Sequence, residues 1–544
     1  MNRLFTLLTV LLLLSISYIQ AQTFPRTAEI KDPSGLERGF GAIVVGVDFD
    51  QDGLPEIYAV NTNMIDEPYE LTPRIYKFEW NPVTSEWDSV WGAVAPVELQ
   101  NTWPALAYGD LDKDQKPELY WAPINNIGTD LNPARILVYE YPGDGSDNMG
   151  VSDGFGGFEP NAKTSIVTVP SFNLRPVRII IADVDADGTD ELIFADRAAG
   201  ASDWHVGVLS VNDVPDNGGG LETWTVEFNG VGDGNLSGTG NNWDLVVVPP
   251  YIGLFAADGR ACLIKYDAGN WVTFPLQTGI AGGYNTFKGM VTVELGDGST
   301  GVYLASWFSG KVYLIDKPDN ADSLVSYEIA DFAPNAVRLM TAGAGDIDGD
   351  GNPDMIFGSR YDALNTAKVP VFRLEYLGGD KTSPASYEAS ILDSAYWNNN
   401  GEMEVYVANI DGDAADEVLY TQGYSRGNPL DTPMPIVVLD LVTTPVSVEK
   451  ETDAVPSQFF VDQNYPNPFN PSTQIKFGIT EAANIDLRVY DALGKEVAVL
   501  ISNQFMGAGS YNVKFDASNL ASGTYVYRMT AGANTISKKM QLLK

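Results

Sequence analysis

The sequence has few of the residues on which many enzymes and nucleic-acid-binding proteins depend. It contains one cysteine, Cys262, and one histidine, His205, so it has no disulfide framework and no zinc site built from these residues. It has 33 basic residues against 72 acidic ones, a net charge of −39 at pH 7. Because nucleic acids and anionic membranes bind basic surfaces, neither is expected as a partner. Divalent cations are the natural partners of such an acidic chain.

Long apolar runs are also scarce, and the one that stands out is at the N-terminus. Residues 1–21 contain Arg3, an apolar run from Leu4 to Ile16, and the small residue Ala21. This pattern is typical of a secretory signal peptide that is cut after Ala21. The alternative, a retained membrane anchor, has a short run and the wrong flanks. The mature protein is therefore expected to lack a transmembrane span and to be secreted, either extracellular or at the outer-membrane surface.

The remaining composition is that of a globular protein rich in strands. A hydrophobic fraction of 44% excludes wholesale disorder, and 544 residues suffice for several domains or for a large repeat architecture with an appendage. The 53 glycines and 32 prolines supply turns between many short strands. We therefore predict an all-β fold.

One acidic loop occurs five times in the chain. In each copy, oxygen-bearing side chains occupy positions 1, 3, 5 and 9, and an apolar, strand-like run follows. We number these copies loop 1 (residues 48–56), loop 2 (110–118), loop 3 (183–191), loop 4 (346–354) and loop 5 (409–417). The predicted metal ligands are Asp48, Asp50, Asp52, Glu56, Asp110, Asp112, Asp114, Glu118, Asp183, Asp185, Asp187, Glu191, Asp346, Asp348, Asp350, Asp354, Asn409, Asp411, Asp413 and Glu417.

The spacing of these ligands has a physical reason. Side chains at positions 1, 3 and 5 of a curled loop converge on one point, and a glycine at position 6 permits the sharp turn. Many hard oxygen ligands suit Ca²⁺ better than Mg²⁺, which prefers a stricter octahedron. The alternative for a single Asp-Gly loop is a solvated turn, but five copies in one register favour metal binding. We expect about three to five structural Ca²⁺ ions.

Two further stretches resemble worn copies of the loop. They keep the turns Asp258-Gly259 and Asp297-Gly298 and the strand that follows, but have lost the other carboxylates. With the five loops they make seven units, and repeated hairpins at this spacing suggest the blades of a β-propeller. A six-bladed propeller with an insertion is the alternative.

The loop motif resembles the FG-GAP/VCBS repeats of the integrin α-subunit β-propeller and its bacterial relatives. The resemblance covers about residues 24–445, and the first unit begins with Gly39-Phe40-Gly41. It implies Ca²⁺ in loops on the lower face of the propeller and partners on the opposite face. The chain departs from the motif at Gln115 and Ala414, where the turn glycine is missing, and at Asn409. Loops 2 and 5 are therefore predicted to be the weaker sites.

The repeats stop near Leu441, and a different domain follows. Residues 446–457 are polar and contain proline, which is typical of a linker. Residues 458–544 alternate apolar and polar side chains between turns, which predicts a small C-terminal β-sandwich of about seven strands.

This tail resembles the type A C-terminal sorting domain of proteins exported by the type IX secretion system. The stretches that carry the resemblance are residues 464–471 (NYPNPFNP), 489–491 (VYD) with Gly494, 522–525 (SGTY) and 538–543 (KKMQLL). The resemblance implies passage across the outer membrane with the type IX machinery as a partner, and then release or attachment at the cell surface. An ordinary accessory domain is the alternative.

No catalytic constellation accompanies the loops. His205 is the only imidazole, and a lone histidine beside a strand is usually structural; the sequence also lacks a nucleophile elbow and a phosphate-binding glycine loop followed by lysine. We expect no enzyme, but a protein that acts in adhesion or ligand binding, with a surface protein or glycan as its unidentified partner. The alternatives are a calcium-dependent polysaccharide-active enzyme resembling a lyase, and a structural surface or matrix protein.

Overall fold

The computed structural model has strands in both parts of the chain and almost no helix. It describes residues 24–34, 39–62, 72–95, 103–123, 134–164, 174–197, 204–216, 224–237, 242–255, 259–280, 289–295, 298–307, 309–332, 337–361, 369–395, 403–413, 415–423, 434–441, 448–452, 456, 458–480, 483–490, 496–506, 508–517, 522–531 and 534–544. The predicted signal peptide, residues 1–21, lies outside this part. Within it, no helix is long and apolar enough to cross a membrane.

The first strand of the chain, β1 (Arg26–Ile30), is followed by four antiparallel sheets of four strands each. Sheet 1 has β2 (Phe40–Val47), β3 (Glu56–Asn61), β4 (Arg74–Asn81) and β5 (Glu86–Val94). Sheet 2 has β6 (Ala105–Gly109), β7 (Glu118–Ala122), β8 (Ile136–Glu140) and β11 (Ala162–Thr164), with a separate pair of β9 (Val151–Ser152) and β10 (Phe158–Glu159). Sheet 3 has β12 (Pro176–Ala182), β13 (Glu191–Asp196), β14 (Val206–Val211) and β15 (Trp224–Phe228), and the short helix α1 (Gly234–Ser237) follows it. Sheet 4 has β16 (Val246–Val248), β17 (Tyr251–Phe255), β18 (Ala261–Asp267) and β19 (Asn270–Thr273).

Three more four-stranded sheets complete this region, which makes seven among the described residues. Sheet 5 has β20 (Met290–Glu294), β21 (Thr300–Ala305), β22 (Lys311–Asp316) and β23 (Val325–Asp331). Sheet 6 has β24 (Val337–Gly345), β25 (Asp354–Tyr361), β26 (Val369–Tyr376) and β27 (Tyr387–Ala395), with a 3₁₀ turn at Pro384–Ser386. Sheet 7 has β28 (Met403–Ala408), β29 (Glu417–Gln422), β30 (Ile436–Leu439) and, as its fourth strand, β1.

The first strands of the sheets contact one another in one continuous series, in a propeller-like arrangement. Strand β2 contacts β6, and β6 contacts β12; further along the chain, β16 contacts β20, β20 contacts β24 and β24 contacts β28. Strand β28 also contacts β2, so the last sheet lies beside the first. Strand β1 strengthens this closure, since it pairs with β30 from the opposite end of the region.

Burial follows the position of a strand within its sheet. Every residue of the second strands β3, β7, β13 and β29 is buried, although each begins with a glutamate. The outer strand β5 is largely exposed on alternate residues. A strand that is covered on both faces needs a continuous apolar run, which explains the runs that follow the acidic loops.

The two worn loops fall in sheets 4 and 5, but at different connections. Strands β20 and β21, the first and second of sheet 5, flank Gly298, as at the acidic loops. Strands β17 and β18, the second and third of sheet 4, flank Gly259, so this turn is not an equivalent copy of the loop. Both glycines adopt a positive φ, +79° at Gly259 and +77° at Gly298, as a tight turn requires. Asp258 and Asp297 lie outside the described residues.

The C-terminal part contains two further four-stranded sheets around one apolar core, which includes Ile475, Leu487 and Tyr527. One sheet has the order β31 (Val448–Thr452), β36 (Gly509–Asp516), β33 (Ser472–Ile479) and β32 (Phe460–Val461). The other has the order β35 (Glu496–Met506), β34 (Ala483–Tyr490), β37 (Gly523–Ala531) and β38 (Asn534–Leu542).

Strand β31 falls within the segment predicted to be a linker, residues 446–457. Its backbone pairs with β36, and it forms an edge of its sheet. Charged residues are common on edge strands because they discourage pairing with other chains, so the polar sequence VEKET is compatible with a strand. The described part of this unit has eight strands, where about seven were predicted.

Candidate metal centres

The five acidic loops occupy equivalent places in the fold. Each joins the first strand of a sheet to the second: loop 1 joins β2 to β3, loop 2 joins β6 to β7, loop 3 joins β12 to β13, loop 4 joins β24 to β25, and loop 5 joins β28 to β29. Because the same connection is used each time, the loops all lie at the same end of their sheets.

The backbone of the loops repeats as closely as the sequence does. Position 4 has a positive φ in all five loops: Gln51 59°, Lys113 62°, Ala186 61°, Gly349 68° and Gly412 79°. Position 6 has one in the four loops where it is described: Gly53 86°, Gln115 73°, Gly188 86° and Gly351 87°. Gln115 therefore adopts the left-handed turn without glycine, which costs it about 1 kcal/mol or more. Ala414, the other departure, lies outside the described residues.

Carboxylates hold each turn by accepting hydrogen bonds from the backbone. The position-5 side chain accepts one from the position-7 N–H in every loop: Leu54 to Asp52 (2.7 Å), Lys116 to Asp114 (2.8 Å), Thr189 to Asp187 (2.7 Å), Asn352 to Asp350 (2.7 Å) and Ala415 to Asp413 (2.7 Å). In loops 1 to 4 the position-1 aspartate accepts one from the position-6 N–H. In loop 5, Asn409 accepts from Gly412 at 2.7 Å instead. The oxygens at these positions are thereby oriented toward the centre of the loop.

The carboxylate at position 9 is buried in every loop. One of its oxygens accepts a hydrogen bond from the position-2 N–H: Phe49 to Glu56 (3.0 Å), Leu111 to Glu118 (3.3 Å), Val184 to Glu191 (3.0 Å), Ile347 to Asp354 (3.1 Å) and Ile410 to Glu417 (2.6 Å). The apolar side chains at position 2 are themselves buried. Sequence reasoning missed position 2, although an apolar residue stands there in all five copies.

Three of the position-9 glutamates keep an Oε1 without a hydrogen-bond partner among the described residues. That of Glu56 is ion-paired with Lys77 at 2.6 Å, whereas the other two have no ion pair there among these residues. These two are Glu118, which is 0% exposed, and Glu417, which is 2% exposed. Leaving a buried carboxylate oxygen unpartnered costs free energy, so native proteins rarely tolerate it without a bound ion or water.

Burial also changes the acidity of these groups. It raises the pKa of Glu118 and Glu417 to about 9 and that of Glu191 to about 8, and repulsion from aspartates of the same loops adds to each rise. Burial likewise raises the pKa of Asp354 to about 7, although the neighbouring Arg373 guanidinium opposes this rise. Without a cation, loops 2, 3 and 5 thus favour a proton on position 9 at neutral pH, and a divalent ion would restore the charged form.

The predicted ligands of loop 2 all come together in the folded chain. One oxygen each from Asp110, Asp112, Asp114 and Glu118 lies within 4.8 Å of the others. The same holds for positions 1, 3 and 9 of loop 1 (Asp48, Asp50 and Glu56) and of loop 3 (Asp183, Asp185 and Glu191). An all-oxygen set of carboxylates fits Ca²⁺ or a similar hard cation, and in loop 2 the buried glutamate also has an unpartnered oxygen.

Several charged residues beside the loops were not foreseen from the sequence. Asp50, Glu79 and Asp147 form one additional acidic group, and Asp114, Glu140 and Asp216 form another. Glu79 and Glu140 lie on third strands, directly opposite the position-9 glutamates Glu56 and Glu118. Only strand register brings them to the loops, so no local motif could have found them.

The two residues considered for chemistry are both inaccessible. His205 is 0% exposed and precedes β14, and Cys262 is 1% exposed in β18. Burial raises the pKa of the Cys262 thiol to about 12. Tryptophan rings can stack on glycans when they are exposed, but four of them are also buried, namely Trp103, Trp121, Trp204 and Trp307.

Comparison with known families identifies the C-terminal unit. Residues 463–542 match the secretion system C-terminal sorting domain. This domain indicates export through the type IX secretion system, interaction with its machinery, and a location at the cell surface or outside the cell. Comparison with curated protein sequences gives no match.

Solved structures with some similarity to the chain are remote in sequence. An exo-β-1,3-galactanase from Phanerochaete chrysosporium is 9% identical over 83% of this chain and 97% of its own, with a TM-score of 0.30. Sqt1 of Saccharomyces cerevisiae is 9% identical over 77% and 98%, with a TM-score of 0.36. The N-terminal domain of Nup159 is 8% identical over 76% and 89%, with a TM-score of 0.31. Similarity at this level supports no statement about function.

Proposed function

We propose that the chain is an exported, calcium-stabilised β-propeller that acts in adhesion or ligand binding at the cell surface. The observation that carries the calcium binding is the buried Glu118 of loop 2, whose Oε1 has no partner among the described residues while three aspartates of the loop lie around it. Lys116 pairs with Asp114 at 2.8 Å, and a divalent cation would supply the counter-charge that Glu118 lacks among the described residues.

In this proposal the seven sheets are the seven blades of an FG-GAP/VCBS-type propeller, and the two C-terminal sheets form a sandwich. Four strands in each sheet, contacts between successive first strands, and closure by β1 in sheet 7 support seven blades. Pairing of β1 with β30, from the opposite end of the propeller region, would hold such a ring together.

The residues that would hold the ions are the side chains at positions 1, 3, 5 and 9 of the loops. Bound there, Ca²⁺ would neutralise the clustered carboxylates and tie the first strand of a blade to the second. Its role would be structural, since ions that bind only the folded state stabilise it.

Counting the ions on the mature chain tests this part of the proposal. Native mass spectrometry in calcium should show several bound ions, and Glu118→Gln should lose the ion of loop 2, because the ligand charge falls by one. The matched control is Glu86→Gln, which removes the same charge from an exposed site on β5. If Glu118→Gln binds as many ions as the unaltered chain, loop 2 is not a calcium site.

The burial of His205 and Cys262 supports a binding role over catalysis, since neither can reach a substrate without local unfolding. Incubation with insoluble and uronate-containing polysaccharides separates the remaining alternatives. Co-sedimentation without cleavage would favour glycan binding, and retention by immobilised surface proteins would favour adhesion. New unsaturated sugar ends would instead favour a lyase, and the binding proposal would be abandoned.

A further inference from the structure

One cross-strand position differs among the five loops. This position is on the third strand of each sheet. It faces the residue of the second strand that follows position 9 by two places, so its side chain lies on the same face of the sheet as the side chain of position 9. The facing pairs are Tyr58 with Lys77, Tyr120 with Val138, Ile193 with Val208, Ile356 with Arg373, and Leu419 with Val438. Loops 1 and 4 thus have a cation where loops 2, 3 and 5 have valine.

In loop 1, the ammonium group of Lys77 lies among the predicted ligands. Its Nζ is 2.7 Å from Oδ2 of Asp50 at position 3 and 2.6 Å from Oε1 of Glu56 at position 9. It also lies 2.8 Å from Oδ1 of Asp147 and 3.5 Å from Oε2 of Glu79. The Lys77 side chain is only 1% exposed. A buried ammonium in such a position offsets the charge of the carboxylates that surround it.

Arg373 makes the equivalent contacts in loop 4. Its Nε donates to Oδ1 of Asp354 at position 9 at 2.7 Å, and its Nη2 pairs with Asp348 at position 3. Nη2 also lies 3.3 Å from Oε2 of Glu375. Loop 4 is the copy with aspartate at position 9, and this shorter side chain leaves room for the larger guanidinium. Two different cations therefore bridge the same two loop positions.

Loops 2, 3 and 5 have no counterpart of this bridge. Lys116 of loop 2 pairs with Asp114 at position 5 at 2.8 Å, but within the described part of the chain no lysine or arginine forms an ion pair with position 3 or position 9 of these loops. Val138 and Val208 are buried and offer no charge, and Val438 is 2% exposed. The unpartnered Oε1 atoms of Glu118 and Glu417 belong to this group.

We propose that the loops form two classes: Lys77 and Arg373 close loops 1 and 4 as internal cations, whereas loops 2, 3 and 5 require a divalent ion. This inference rests on the proposed calcium binding and specifies where it occurs. An ion entering loop 1 or 4 would meet a buried positive charge within a few ångströms, and this repulsion weakens binding. The order is the reverse of the one predicted from the turn glycine, by which loops 2 and 5 were the weaker sites.

The test is the number of tightly bound calcium ions per mature chain, measured by equilibrium dialysis and native mass spectrometry. The unaltered chain should bind three ions tightly. Lys77→Val introduces the valine that occupies this position beside loops 2, 3 and 5, so the number of tightly bound ions should rise to four. Arg373→Val should likewise add one ion, at loop 4. Lys77→Met, which keeps an unbranched apolar stem, replaces Lys77→Val if the valine variant does not fold.

Stability in EDTA supplies a second readout. Lys77→Val should melt well below the unaltered chain in EDTA, because it leaves buried carboxylates without a counter-charge, and calcium should remove most of that difference. The matched control is Lys311→Val, which breaks a cross-strand pair with Glu328 away from the acidic loops and should leave the ion count at three.

The outcomes distinguish this inference from the proposed function. Five ions of equal affinity on the unaltered chain would overturn the two classes while supporting calcium binding. An unchanged count in Lys77→Val and Arg373→Val, with both variants folded, would also overturn them, since the two cations would then be ordinary structural pairs. If no calcium binds to any variant, the proposed function itself fails.

Discussion

Asp346 and Asp416 join two neighbouring loops by a reciprocal pair of hydrogen bonds. The backbone N–H of Asp346 donates to Oδ2 of Asp416 at 2.8 Å, and the backbone N–H of Asp416 donates to the carbonyl of Asp346 at 2.8 Å. The first residue belongs to loop 4 and the second to loop 5, and their sheets are in contact through β24 and β28. Loops 4 and 5 are therefore linked to each other across their sheets.

Removing the Asp416 carboxylate should loosen this link. We predict that Asp416→Ala lowers the free energy of unfolding by about 1–3 kcal/mol, because the Asp346 N–H loses a charge-assisted hydrogen bond. Asp416→Asn retains an acceptor and should lose less. Urea denaturation checks both variants, with the exposed Asp267→Ala as a control. Equal stability of Asp416→Ala and the unaltered chain would mean that the link contributes nothing.

Gly345, which ends β24, leaves the space in which Asp416 lies. A Cβ at this position would come within 2.4 Å of both Oδ2 of Asp416 and a methyl group of Val407. We predict that Gly345→Ala destabilises the chain by about 1–3 kcal/mol through this overpacking. Gly234→Ala is the control, since nothing lies within 4 Å of its added Cβ. A thermal melt in which the two variants coincide would contradict the prediction.

The buried carboxyls predict an unusual pH dependence for the metal-free chain. Glu118, Glu191 and Glu417 have pKa values of about 9, 8 and 9 when folded, against 4.5 as the ordinary value. The folded state therefore binds more protons than the unfolded state between about pH 4.5 and 9. Since stability falls with pH wherever the folded state holds the extra protons, melting temperatures in EDTA should fall as the pH rises through this range.

Calcium should oppose that trend, because the ion needs the deprotonated carboxylates and binds better as the pH rises. Thermal melts at a series of pH values, with calcium and with EDTA, measure both slopes. A variant with glutamine in place of all three glutamates is the control and should have a flatter EDTA profile. A stability in EDTA that rises from pH 5 to pH 9 would show that these carboxyls are ionised without metal.

In the sorting domain, the most specific sequence block is held by buried polar contacts. The Tyr527 hydroxyl donates to the carbonyl of Asp462 at 2.7 Å and accepts from the backbone N–H of Asn464 at 2.9 Å. The Asn464 amide donates to the Pro466 carbonyl at 3.0 Å and to the Thr473 hydroxyl at 3.0 Å. Asn464 is only 2% exposed. The block therefore depends on the fold around it.

We predict that Asn464→Ala and Tyr527→Phe each destabilise this domain by about 1–3 kcal/mol, because buried partners are left unsatisfied. In a bacterium with the type IX system, both variants should shift the protein from the surface and medium toward the periplasm. Fractionation measures the shift, and the exposed Thr535→Ala is the control. Full export of both variants would mean that the contacts are not needed for sorting.

Local features of the sequence indicate the acidic loops, whereas contacts between distant residues could not be predicted from it. Asp48, Asp50 and Glu56 lie close together because a nine-residue turn is a local structure, and all five copies share the hydrogen bond to position 9. Lys77 lies 21 residues beyond Glu56, and only the register of β3 and β4 brings it to the loop. No local sequence motif therefore indicates that Lys77 lies among the predicted ligands.

The same limit applies to strands that pair across long separations. Strand β1 pairs with β30 more than 400 residues later, and β31 joins a sheet that was predicted to begin after it. Both are short edge strands, whose sequences carry little apolar periodicity. The strands that follow the acidic loops, in contrast, are buried on both faces and are recognisable from their composition alone.

The measurement that tests the central claim most directly is a thermal melt of the mature chain in calcium, in magnesium and in EDTA. Each ion that binds only the folded state adds RT ln(1 + [L]/Kd), about 2.7 kcal/mol at a hundredfold excess over Kd. With several sites, calcium should raise the melting temperature strongly and magnesium much less. The same midpoint in all three solutions would contradict the account, and the acidic loops would then be solvated turns.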